Sequence, residues 1–290
     1  MTRRSETLVK QVGLDPKVFG FFQDEAGFDL KDRAVFVCYV GSQAQGTHFV
    51  LDDTSLGIDD TDVLCVVVPP PAHVYGLHPW EGAVVRADPW DVKVLSISAF
   101  AQRLLAGDPV AIEPLWTRES EQFAVSDEFK GFLRARSNFL SRRYLDALSR
   151  EANALESDMI EPVPTAAHYQ GFLGERQWAL AKRNQYDTRC AAHLLRRLKM
   201  MAELAEQSQF DLWRAEDGEL LKAVKRGYFK LPEVQTMVER QYDRLADAWP
   251  TMILPNEAES EVVNDLLLRV LHSEWQRHSD HDQPHTPYKE

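Results

Sequence analysis

At 290 residues, with 44% hydrophobic residues and a formal net charge of −12, the chain can fill one large domain or two modest ones, and a uniformly basic nucleic-acid coat is excluded. No apolar run reaches the length of a membrane span, and Cys38, Cys65 and Cys190 lack metal-ligand spacing, so buried reduced thiols and no membrane partner are expected. Arg3 and Arg4 are followed by no apolar h-region, so no secretory signal is expected and the protein is placed in the cytoplasm.

Residues 5–32 mix Val9, Val12, Phe19, Phe21, Phe22 and Phe28 with charges, which predicts a helix or two ahead of the first strand. The apolar run 35–40 is that strand, and Gly41-Ser42 follows it directly. Glycine lets the backbone approach a ligand, a helix start after it would aim N–H groups at phosphates, and the Ser42 hydroxyl adds a donor. Such a pair alone marks any turn. Asp59-Asp60-Thr61-Asp62 then leads into the apolar run 63–68, ended by Pro69-Pro70-Pro71, so a second short buried strand is expected.

Side chains two apart leave a strand on one face, so Asp60 and Asp62 repel each other unless a cation sits between them. A hard divalent ion, magnesium or manganese, suits such a pair. A slip of one residue would instead use Asp59 with Thr61, because it exchanges the two faces. Residues 92–97 read as a third strand with Asp91 at its head, where a third carboxylate can share a metal and take the proton from an attacking hydroxyl. Between these last two strands, residues 69–80 read as a loop. Its His73, Tyr75, His78 and Trp80 are expected to pack beneath it, the alternative being contact with a base.

Beyond residue 98 the pattern turns helical. Phe100, Leu104 and Leu105 form one stripe that stops near Gly107-Asp108-Pro109; Val110, Ile112, Leu115 and Trp116 form another, with Glu113 inside it. Lys130, Arg134, Arg136, Arg142, Arg143 and Arg150 fall in one helical segment whose only acid is Asp146, a local basic face in an acidic chain. Residues 151–166 are acidic and carry Pro162 and Pro164, so they are expected to connect two domains.

After His168, Asp187 or Thr188 is placed to cap a helix in which Arg189, His193 and Arg196, at i, i+4 and i+7, share one face. That face suits phosphates; the competing reading is a helix surface with a histidine satisfied inside the fold. Two helices are expected within 216–248 and a last one within 262–275. The remaining tail, with His278, His281 and His285, is expected to be disordered.

In order, Gly41-Ser42, Asp60-Thr61-Asp62 and Asp91 resemble the signature of the DNA polymerase beta superfamily of nucleotidyltransferases. Residues 41–47, 59–63 and 91–93, then Glu113-Pro114-Leu115-Trp116 and the Arg189, His193, Arg196 spacing, are similar to its RNA-repair-pathway polymerase-beta-like branch, common in phages. The likeness spans roughly residues 33–250. The interval from Ser42 to Asp60 is longer than the compact spacing of the superfamily and carries Asp52 and Asp53.

The resemblance implies an α/β fold: a small mixed sheet with flanking helices in residues 1–150, a helical region at 151–275 closing over the site, and a tail at 276–290. It implies transfer of a nucleoside monophosphate from an NTP to an acceptor hydroxyl. Asp60, Asp62 and Asp91 would be the catalytic metal ligands, Gly41 and Ser42 would seat the β and γ phosphates, and Arg189, His193 and Arg196 would face the leaving pyrophosphate. An RNA 3′ end, reached through the basic segments, is the acceptor the branch suggests. A protein or small-molecule hydroxyl, or a nucleotide-binding regulatory protein without turnover, are the alternatives.

Overall fold

The computed structural model describes residues 28–49, 59–87 and 90–278. Most of the expected N-terminal helical stretch, Asp52 and Asp53, and the tail histidines His281 and His285 lie outside the described residues.

Five strands form one mixed sheet in the order β3-β4-β2-β1-β5: β1 Ala34–Tyr39, β2 Thr61–Val67, β3 Gly82–Ala87, β4 Trp90–Ser96 and β5 Gln122–Val125. β1 runs antiparallel to β2 and β5, β3 antiparallel to β4, and β2 parallel to β4. Val- and Cys-rich runs make β1, β2 and β4 the buried centre, as their apolar sequences predict. β3 and β5 are edge strands that periodicity did not show. β5 has only four half-buried residues, and pairing with β1 rather than its own sequence makes it a strand.

One sheet face carries Phe36, Cys38, Leu64, Val66 and Leu95 into the main core. The other carries Val63, Cys65, Val67, Val92 and Val94 into a smaller cluster closed by Phe28, Leu30 and Trp80. His73 and Trp80 meet Phe28 edge-on at 5.1 and 5.3 Å, so these two loop aromatics pack beneath the loop as expected. Residues 71–75 within that loop form a helical turn.

Among the described residues seven longer helices follow: α1 Ile97–Leu105, α2 Arg142–Ile160, α3 Gly171–Asn184, α4 Thr188–Gln207, α5 Gly218–Lys225, α6 Leu231–Ala248 and α7 Ser260–His278. α4 is the hub, packed against α2, α5 and α6, and its Ala191, Leu194, Leu195, Leu198 and Ala202 are buried.

Three expectations are corrected. The basic segment is not one helix: it breaks into turns at Lys130–Arg134 and Arg136–Phe139 before α2 begins. The first amides of α2 are satisfied by the carbonyls of Pro255 (2.8 Å) and Asn256 (3.3 Å), which a continuing helix would not allow. Residues 151–160 are the second half of α2 rather than a connection, because Ala152 and Met159 continue its buried stripe past the acids. The stripe at 109–116 is a helical turn followed by a 3₁₀ turn, with Pro114 unable to extend an α-helix. No described helix is long and apolar enough to cross a membrane.

Candidate active site

The parallel register of β2 and β4 places Asp62 directly beside Asp91, and Asp60 lies two residues earlier at the entry of β2. One carboxylate oxygen from each of Asp60, Asp62 and Asp91 lies within 4.8 Å of the others. The preceding residue, Asp59, turns away: its carboxylate meets Lys225 Nζ at 2.8 and 2.9 Å and accepts the Phe49 N–H at 2.8 Å. The phase that faces Asp91 is therefore Asp60 with Asp62. Burial, then the neighbouring Asp60 carboxylate, push Asp62 up to about 7, against the pull of Arg189.

Gly41 ends β1's approach to this cluster with φ +59°. A Cβ there would stand 2.1 Å from Asp62 Oδ2, so only glycine fits between the turn and the carboxylate. Gly41 opens a single helical turn, Gly41–Ala44, and Ser42 within it is buried. The Ser42 hydroxyl lies 3.1 Å from His48 Nδ1, a partner that spacing gave no reason to expect.

Asp187 caps α4, its Oδ1 accepting the Arg189 and Cys190 N–H groups at 2.8 and 2.9 Å, and the Tyr169 hydroxyl donates to its other oxygen. The fixed helix start aims Arg189, His193 and Arg196 into a cavity of about 620 Å³. Gly41, Ser42, Asp62, Asp91 and Lys93 line the same cavity from the sheet side. Arg189 Nη2 stands 3.6 Å from Asp60 Oδ1. Burial works against the Arg189 charge, but Asp60, Asp59 and Asp62 outweigh it and hold its pKa up. His193 is different: burial, then the surrounding cations Lys225, Arg189 and Arg196, drive it well below its ordinary value. It is a neutral ring at pH 7 and offers a hydrogen bond, not charge.

Arg196 Nη1 stands 3.5 Å from Glu113, whose other oxygen binds Arg197; Arg197 also reaches Glu151 at 2.7 Å. Glu113 thus partners two basic residues of the cavity wall. Burial, then the Arg197 charge, lower Arg196 to about 10. Nε of both Arg189 and Arg196 is buried without a hydrogen-bond partner.

Arg197, Glu151, Lys93 and Lys225 were not singled out by sequence reasoning. Arg197 was legible in principle, one position beyond the i, i+7 stripe; Lys225 was not, since nothing local couples it to Asp59. The basic residues 130–150 do not line this cavity. Arg142 bonds the Leu254 carbonyl, Arg143 the Leu105 carbonyl and Glu257, and Lys130 binds Asp127.

The donor set fits a hard divalent cation. Three carboxylates converge, and the proton that Asp62 otherwise retains near neutral pH marks negative charge in excess of what Arg189 offsets. No family model and no curated protein matches the chain. Among solved structures, it is similar to the crystal structure of a nucleotidyltransferase-like protein from Exiguobacterium sibiricum at 12% identity, over 91% of this chain and 79% of that one, with a TM-score of 0.27.

Proposed function

We propose that the chain is a metal-dependent nucleotidyltransferase that moves a nucleoside monophosphate from an NTP to an acceptor hydroxyl. The observation that carries this reading is the meeting of Asp60, Asp62 and Asp91 at the end of one parallel strand pair, across a cavity from Arg189 and Arg196. Magnesium or manganese held by the three carboxylates would neutralise phosphate charge during transfer.

The chain's own groups divide the remaining work. The backbone at Gly41 and the Ser42 hydroxyl seat the β and γ phosphates. Asp91 accepts the proton of the acceptor hydroxyl as its oxygen bonds the α-phosphorus, and the bond from that phosphorus to the β-bridging oxygen breaks to release pyrophosphate. Arg189 and Arg196 stabilise the charge that grows on the leaving group, with neutral His193 donating or accepting a hydrogen bond between them. The buried Nε of each arginine is a donor that a phosphate oxygen can satisfy.

Because residues 130–150 spend several of their cations on internal partners, that segment gives no continuous basic track to the cavity. The test is incubation with each labelled NTP and magnesium, with and without bulk RNA, resolving nucleic acid, protein and small products. Label in RNA identifies a terminal transferase; label in protein or a small product identifies the other acceptors. Asp60→Ala should abolish transfer while leaving the melting temperature near that of the parent. Full transfer by Asp60→Ala would refute the site, and NTP binding without transfer to any acceptor would favour a regulatory protein.

A further inference from the structure

Asp59 and Lys225 form an ion pair with side chains only 1% and 2% exposed. All three ammonium hydrogens of Lys225 have acceptors: both Asp59 oxygens, and the Thr47 carbonyl at 3.4 Å. The Asp59 carboxylate also takes the Phe49 N–H. At the same helix end, the Thr188 hydroxyl donates to the Lys225 carbonyl at 2.8 Å, tying α5 to the start of α4 one residue before Arg189. Three separate parts of the site therefore meet on one residue: the entry of β2, the loop after Ser42 and the first turn of α4.

A buried ion pair of this kind adds little net stability over a well-packed apolar pair, because desolvation offsets the attraction. What it supplies is a fixed position. Asp59 is also one residue from Asp60, and its charge adds to the load on Asp62. Left unpaired, it would be a fourth carboxylate at the cluster.

We propose that Lys225 is a positioning residue that selects which carboxylates of Asp59-Asp60-Thr61-Asp62 face the metal. By capturing Asp59 on the opposite side of the chain, it commits Asp60 and Asp62 to the side of Asp91. The proposal rests on the metal-site reading above and adds that Asp59 is held away from the site from α5, 166 residues away in sequence.

The test is a manganese titration, with free Mn²⁺ followed by electron paramagnetic resonance, alongside thermal melting. The proteins are the parent, D60N, K225M and the double variant D59N/K225M. K225M should melt lower, since it strands a buried carboxylate. The double variant removes that charge and should recover most of the melting temperature, yet bind Mn²⁺ at least about tenfold more weakly, the usual scale for loss of a residue behind a ligand. Parent-like affinity in the double variant, with D60N binding lost, overturns the positioning role alone. Absence of Mn²⁺ binding in the parent, or parent-like binding by D60N, overturns the metal site and this proposal with it.

Discussion

Replacing Asp62 with asparagine is expected to stabilise the metal-free protein at pH 8. In the folded chain the Asp62 carboxyl is pushed up to about 7, first by burial and then by Asp60, whereas its ordinary value is 3.8. Its folded value is the higher one, so folding takes up a proton between those limits, and the wild-type protein loses stability as the pH rises from about 4 to 7. Above 7 the cost is complete. A difference of that size corresponds to at most about 4 kcal/mol, and sharing of protons within the carboxylate cluster reduces it, so about 2–4 kcal/mol is the working range. For a chain of this size that is a rise in melting temperature of roughly 5–15 °C.

The assay is thermal or urea unfolding of both proteins in EDTA from pH 4 to 8. The variant's advantage should be flat above pH 7, shrink as the pH falls, and be largely gone near pH 4, where the folded carboxyl is protonated and the unfolded one about half so. Added magnesium should stabilise the wild type and leave the variant almost unmoved. A variant that is no more stable than wild type at pH 8 in EDTA would show that the Asp62 charge is already compensated, and the argument for a cation there would fail.

Gly41→Ala should cost stability and metal affinity together, because the methyl would meet Asp62 Oδ2 and the residue would keep a positive φ; about 1–3 kcal/mol is expected in unfolding, and Mn²⁺ affinity equal to the parent's would contradict the close approach. Glu113→Gln should lower the melting temperature by roughly 6–10 °C, corresponding to about 3 kcal/mol, since Arg196 and Arg197 would share only Glu151 within a mostly buried network. Inorganic pyrophosphate should narrow that gap if these arginines face the leaving group, and an unchanged gap would count against that role.

The central strands could be read from the sequence because β1 and β2 are almost continuously apolar and β4 carries Val92, Val94 and Leu95 around Lys93. The helix at 188–207 was legible for a related reason: Asp187 caps it and the basic residues repeat at its own period. Edge strand β5 was not legible, since its pairing with β1 decides its conformation. The break between Arg136 and α2 was hidden too, because carbonyls of residues 255 and 256 terminate it from far along the chain. The carboxylates show both sides of this limit. Spacing alone restricted the pair to Asp60 with Asp62 or a one-residue slip; the β2–β4 pairing sets Asp62 beside Asp91, and Lys225 holds Asp59 away. A lysine in a different helix leaves no periodic trace at residue 59.

The charges around the cavity fall into two sets, and the division bears on what the cavity can hold. Asp59 is closed off by Lys225, and Glu113 by Arg196 and Arg197, so these groups fix structure. Asp60, Asp62 and Asp91 form a negative group at the sheet end beside Lys93, while Arg189, 3.6 Å from Asp60, and Arg196, 3.5 Å from Glu113, face the cavity from α4, each with an unpartnered buried Nε. The compensation between them is partial: Asp62 holds its proton to about 7 and each arginine keeps a buried Nε without a partner, so a ligand that presents both charges would complete it. A phosphate chain alone would satisfy the arginines and be repelled by the carboxylates; a divalent ion alone would do the reverse. A metal-bound polyphosphate complements both. Neutral His193 adds a hydrogen-bonding group and no charge to the α4 side of the cavity, and its protonation in acid would work against the fold.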